Sequence, residues 1–241
     1  MRPQRIITLL WGLFLFNISA HNVLADKIIL DASLTIGLPP AVTAATGIDA
    51  MVHAIEAFTS KRLKNPLSDM LAREALRLMA GNITLAVKNG GNLAAREAML
   101  LGAMLAGQAF ANAPVAAVHA LAYPLGGNYH IPHGLSNSLV LPHVLRFNGP
   151  ETANLYAELA AIILPNRSLP ADPLQVTAIL ADYFLDLAAD LGLPTRLQQM
   201  SIDQADLPML AEQAMLQQRL LVNNPREVSL SDALFIYRQA F

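Results

Sequence analysis

From Pro40 to the last residue, the chain is punctuated almost entirely by helix starts and stops, and this rhythm limits the fold more than any other feature. Pro40 suits the first position of a helix, where a missing N–H costs nothing. Ile48, Met51, Val52 and Ile55 recur at helical spacing, and Thr46 or Asp49 is the expected cap. Asn65 and Pro66 open a second helix that ends at the Gly90-Gly91 pair. Asn92 opens a third, "LAAREAMLLGAMLAGQAFANA". Further helices are expected at Val115–Leu125, Leu135–Phe147, Glu151–Leu164, Pro173–Leu191 and Asp203–Leu221, with a short last one from Ser231. Only "KIIL" (27–30) reads as a strand, ended by "LPP" because the residue before a proline is pushed out of the helical region. The expected fold class is mainly α, with that strand as an N-terminal remnant.

Charged residues make up 14% of the chain, well below the roughly 25% of an ordinary soluble domain. The excess is largely Ala and Leu, which favours helices packed through small residues and is compatible with a homo-oligomer. Gly102 and Gly107 are spaced like the outer glycines of a phosphate loop. No Lys-Ser or Lys-Thr follows them, so close helix packing is the expected role. The net charge of −2 argues against nucleic acid or an anionic membrane as partner. The absence of cysteine removes thiolate metal sites and cysteine nucleophiles.

Residues 1–26 differ from the rest. A basic start, the apolar run "IITLLWGLFLF" and small residues near Ala25 follow the pattern of a secretory signal peptide. The run is shorter than the roughly 20 residues of a membrane span. A misassigned start is the alternative. Residues 27–241 read as one all-helical domain. "LPNRSLPADP" is its longest proline-rich break and is expected to be a surface loop.

Chemistry concentrates in two stretches. "GIDAMVHAIEAFTS" (47–60) sets Asp49 and His53 four apart, on one face of a helix. Alone, that pair reads as a capping aspartate and a packed histidine. "AVHALAYPLGGNYHIPHG" (117–134) adds His119, expected mid-helix, and His133, beyond a turn expected at Pro124, Gly126 and Gly127. Several unpaired histidines in so apolar a chain would be costly to bury, and a shared divalent cation would give each lone pair a partner. One Asp and three His form a sulfur-free set suited to Fe(II) or Zn, with a position open for water or substrate. His130 is expected to line such a site without binding. His143 is read as a packing residue. Glu56 could orient a ligand histidine, or simply pair at the surface.

"GIDAMVHAIEAFTS" together with "AVHALAYPLGGNYHIPHGLSNSLVLPHVLRFN" resembles the iron-containing (group III) alcohol dehydrogenases, from about Lys27 to Phe241. The resemblance implies that Asp49, His53, His119 and His133 hold a divalent metal, usually iron and sometimes zinc, in a helical C-terminal domain. It implies hydride exchange between a small alcohol or aldehyde and NAD or NADP, with the metal as Lewis acid. Tyr123 stands where many members carry a histidine near the nicotinamide, and a tyrosine can also relay a proton. The family's N-terminal α/β domain, with its glycine-rich phosphate loop, has no counterpart in this sequence. The expectation is a truncated form with impaired cofactor binding. A nicotinamide enzyme is expected in the cytoplasm, while a functional signal peptide would mean export. A non-catalytic helical metal-binding remnant and a metal-dependent hydrolase remain as alternatives.

Overall fold

The computed structural model describes residues 28–241. The signal-like segment, residues 1–26, and Lys27 lie outside them. Among the described residues nine α-helices follow in order: α1 (Pro40–Thr59), α2 (Pro66–Lys88), α3 (Leu93–Asn112), α4 (Ala117–Tyr129), α5 (His133–Ile163), α6 (Pro173–Asp190), α7 (Leu207–Met215), α8 (Gln218–Leu221) and α9 (Leu230–Ala240). Among the described residues no strand forms. Ile29 holds only a lone bridge position, so the expected N-terminal strand remnant is not an element here. No single helix among them is long and apolar enough to cross a membrane.

The amphipathic rule explains the layout. A helix that is apolar all round must be buried all round. α1 is such a helix: Ala44, Met51, Val52, Ala54, Ala57 and Phe58 are fully shielded from solvent. It packs against α2, α3 and α5 at once. α4 lies against α5 and α7, and α6 packs along α5. Two of the caps expected from sequence form. Asn65 accepts from the Ser68 N–H at 3.0 Å and Asn92 from the Ala95 N–H at 2.9 Å, each filling an orphan donor of the first turn. The proline-rich break lies between α5 and α6, as expected for a loop.

Small residues set how closely helices approach. A Cβ on Gly47 would meet Ile83 Cδ1 at 2.9 Å and Met99 Cε at 3.0 Å. One on Gly102 would meet Met79 Cγ at 2.6 Å, so Gly102 does serve close packing; Gly107 has nothing within 4 Å and does not. Gly134 is the tightest position: a Cβ there would lie 2.4 Å from the Ala45 carbonyl oxygen and 3.2 Å from Asp49 Cβ. Glycine at 134 therefore lets the start of α5 press directly on the backbone of α1. Arg96 ties the same region together: Nη1 donates to Thr43 Oγ1 (2.8 Å) and Nε to the Gly90 carbonyl (3.0 Å).

Four local expectations fail for physical reasons. Neither Thr46 nor Asp49 caps a helix: α1 starts at Pro40, Thr46 Oγ1 bonds back to the Val42 carbonyl, and Asp49 is mid-helix. α4 does not break at Pro124, Gly126 or Gly127 but runs to Tyr129. Tyr237 donates to the Leu121 carbonyl in the turn before the proline, which helps the kink-prone segment stay helical. The two helices expected over 135–164 are one, α5, running through Pro142 and Pro150. Its carbonyl at Phe147 accepts from Arg226, and Asn148 exchanges hydrogen bonds with Asn224 beside it. The segment Asp203–Leu221 is a 3-10 turn followed by α7 and α8.

Replacing Gly134 with alanine is expected to lower stability by about 1–3 kcal/mol, because the new methyl meets backbone that cannot swing aside. Gly107→Ala has open space and gains helix propensity, so it should be neutral or stabilising by up to about 1 kcal/mol. Thermal unfolding of the two variants side by side checks the contrast.

Candidate metal centre

The site grows from three helix segments that the packing brings to one point. α1 contributes Asp49 and His53, one turn apart. The first turn of α4 contributes His119, and the first residue of α5 contributes His133. One ligand atom from each of the four lies within 4.8 Å of the other three. His133 Nε2 is 3.5 Å and His119 Nε2 3.9 Å from Asp49 Oδ1. The His53 and His119 rings stack at 4.8 Å between centroids, and His119 and His133 are tilted at 5.3 Å. These are the four residues expected from sequence. His119 sits at the start of its helix instead of in its middle.

Glu56 explains why His119 points inward. Its side chain is buried, not at the surface. Oε2 lies 2.6 Å from His119 Nδ1, and Oε1 accepts the Val118 N–H at 2.7 Å. α4 has no side-chain cap of its own, so this carboxylate from α1 fills an orphan donor of α4 and faces the positive end of its dipole. With Nδ1–H donated to Glu56, the His119 Nε2 lone pair is left to face the cluster. Phe110 of α3 stacks on His53 at 4.6 Å and fixes the plane of that ring.

The donor set fits a divalent cation. Nε2 of His53 is buried with no hydrogen-bond partner, an arrangement that is costly unless something else engages the lone pair. Asp49 and His119 are buried, whereas His53 and His133 are partly exposed, so one side of the cluster is open. Burial pushes the His53 imidazole down to about 4, against the attraction of Asp49, and so keeps it neutral. His133 is lowered by burial as well, again against Asp49. Burial works to lower His119 too, but the charge and hydrogen bond of Glu56, with Asp49 behind them, raise it above the usual histidine range. Burial would raise Asp49; the three imidazoles and the Asn137 amide outweigh it and hold the carboxyl below the usual range. The surroundings thus favour neutral imidazoles at His53 and His133 and an ionised Asp49, the forms a metal ion requires, while Glu56 draws a proton towards Nδ1 of His119.

Three further residues were named from sequence. Tyr123 lies beside the cluster, its ring 5.8 Å from that of His133, and burial raises its hydroxyl above the usual range, so it keeps its proton. His130 does not join the cluster: it is exposed and takes the left-handed conformation (φ 54°) that ends α4, its N–H bonding to the Gly126 carbonyl. His143 packs away from the cluster, half-buried, with an unpartnered Nε2 and an imidazole pushed down to about 4 by burial and by Arg146 and Arg196. Asn137 and Phe110 were not named. Asn137 stands one helical turn after His133, and that spacing was the available signal.

Residues 43–241 match the Fe-containing alcohol dehydrogenase family, C-terminal. The chain is 42% identical to the 1,3-propanediol dehydrogenase of Klebsiella pneumoniae over 230 residues, which cover 94% of this chain and 58% of that protein. It is 41% identical over 219 residues to long-chain-alcohol dehydrogenase 1 of Geobacillus thermodenitrificans, covering 91% and 55%. A solved 1,3-propanediol oxidoreductase superposes with a TM-score of 0.85 at 39% identity, over 90% of this chain and 56% of that one. The alcohol dehydrogenase from Oenococcus oeni gives 0.84 at 32%, over 89% and 55%. The chain thus spans a little over half the length of these relatives.

The buried histidines set a pH dependence for the metal-free chain. His53 and His143 take up protons near 6.5 when unfolded but only near 4 when folded. The unfolded state therefore binds more protons across that window, and stability falls as pH drops from about 6.5 towards 4. His119, raised, keeps its full contribution below 6.5 and loses it as pH rises through its folded value, so it adds no slope there. The melting temperature of chelator-treated protein should fall across the window, and less steeply in His143→Gln.

Proposed function

Because the chain belongs to the Fe-containing alcohol dehydrogenase family through its C-terminal domain, we propose that it works as the metal-binding part of an alcohol dehydrogenase that interconverts a small alcohol with its aldehyde or ketone. The observation that carries this reading is the convergence of Asp49, His53, His119 and His133 within 4.8 Å, with a buried His53 nitrogen left without a partner. Residues 27–241 act as one helical unit around that point. Fe(II) is the proposed ion, and Zn is the other ion the donor set accepts. Held there, a divalent cation supplies Lewis-acid polarisation of the alcohol or carbonyl oxygen.

The remaining roles belong to the chain itself. Asp49 and the three imidazoles hold the ion, and Glu56 keeps His119 turned towards it. The partly exposed side, at His53 and His133, is where a small substrate enters. Tyr123 flanks that side with a protonated hydroxyl, placed to pass a proton to or from the substrate oxygen. Phe110 and the apolar walls of α1 and α4 limit water around the reacting atoms.

NAD or NADP as the hydride partner comes from the family alone. The strand and glycine-rich turn that commonly cradle a pyrophosphate are not found among the described residues. An enzyme drawing on the nicotinamide pool works in the cytoplasm, and that compartment goes with the proposal.

Metal analysis tests the reading directly. Purified wild-type chain should carry or take up about one Fe(II) or Zn per chain, and His119→Ala or His53→Ala should lose it while remaining helical. Wild-type protein that binds neither ion would remove the basis for the proposal. Assayed alone with metal, a primary alcohol and NAD, the chain should turn over far more slowly than the roughly 10 per second of a typical enzyme, and Tyr123→Phe should lower whatever rate is seen.

A further inference from the structure

Asn137 lies on α5 one turn after His133, completely buried, and its side-chain amide faces the centre of the cluster. Nδ2 is 2.5 Å from Asp49 Oδ1, 3.1 Å from His133 Nε2 and 3.3 Å from His119 Nε2. Three of the four atoms proposed to hold the ion therefore face one NH2 group. An amide NH2 only donates, so each atom it serves must present a lone pair. For His119 this agrees with the Nδ1–H directed at Glu56. The other end of the amide makes the same point: Oδ1 is buried without a hydrogen-bond partner. A turn of 180° would exchange the two ends and set an oxygen against three acceptors. The orientation is thus dictated by the cluster and not by any partner of Oδ1.

We infer that Asn137 is a positioning residue for the metal centre: its amide N–H donates to Asp49 Oδ1 and fixes that carboxylate beside the His119 and His133 nitrogens, with the second lone pair of the oxygen left for an ion. The inference rests on the metal reading above. It concerns a residue that contributes no ligand atom of its own. Side chains that orient ligands commonly change metal affinity by 10–100-fold when replaced.

The test compares wild type, Asn137→Ala and Asn137→Leu, the last filling the volume without a donor. Zn affinity is measured by competition with a chelator, and the visible spectrum of the Co(II)-loaded protein reports ligand geometry. Both variants should bind Zn about 10–100-fold more weakly and show altered Co(II) bands. Unchanged affinity and unchanged bands in folded variants would overturn the positioning role while leaving the metal reading intact. A wild-type chain that binds neither ion would overturn both.

Discussion

The Glu56 carboxylate is the contact on which the geometry of the site depends. It leaves the last turn of α1 and reaches the first turn of α4. One oxygen takes the Val118 N–H and the other takes His119 Nδ1. The first bond sets where α4 begins, and the second sets which nitrogen of His119 looks inward. The first follows from a rule about helix ends, since the first N–H groups of a helix have no intrahelical acceptor and attract an anion. Two jobs usually shared between a cap and a ligand-orienting residue fall to one side chain. The position of α4 and the chemistry of His119 are therefore coupled.

Gly134 supplies the second constraint. Asp49 and His133 can approach only if the first turn of α5 meets α1 without an intervening side chain, and the Ala45 carbonyl leaves no room for one. The cluster is thus assembled by helix packing, with its ligands on the ends or faces of helices and not on long loops. Stacking of Phe110 on His53 and the Asn137 amide against Asp49 complete the shell from α3 and α5. Groups from α3, α4 and α5 meet the polar side chains of α1, which is why so apolar a helix can carry Asp49, His53 and Glu56.

How much of this was legible depended on the range of the interaction that decided it. Helix starts at Asn65 and Asn92 were readable because a cap is a matter of neighbouring residues, and that at Pro40 because a proline suits a first helical position. The pairing of Asp49 with His53 was readable for the same reason, and family resemblance joined it to His119 and His133. Continuity of α4 through Pro124 and of α5 through Pro142 and Pro150 was not readable, because partners from distant segments, such as Tyr237 and Arg226, meet the carbonyls nearby. Glu56 was ambiguous from sequence, since one turn beyond His53 it could face either the cluster or water, and only the burial of that face decides. His130 looked functional by its proximity to His133, yet a left-handed residue ending a helix explains it in full. Asn137 was missed because amides carry no motif weight, although its spacing from His133 matches that of His53 from Asp49.

The cluster makes no sense as a stabilising device. Two carboxylates and three imidazoles are gathered inside a chain that is otherwise poor in charge, and the surrounding low dielectric makes each unmatched group expensive. Hydrogen bonds offset part of this: Glu56 is matched by Val118 and His119, and Asp49 by Asn137. What they leave over is specific. His53 Nε2 has no partner, and the lone pairs of His119 and His133 share a single amide with Asp49. An apolar replacement of similar volume would be easier to bury, so stability does not account for this arrangement. The shortfall is of acceptors without a donor, all directed at one point. One positive ion there would meet every outstanding lone pair at once, which is the physical reason a chain so apolar keeps these four side chains together.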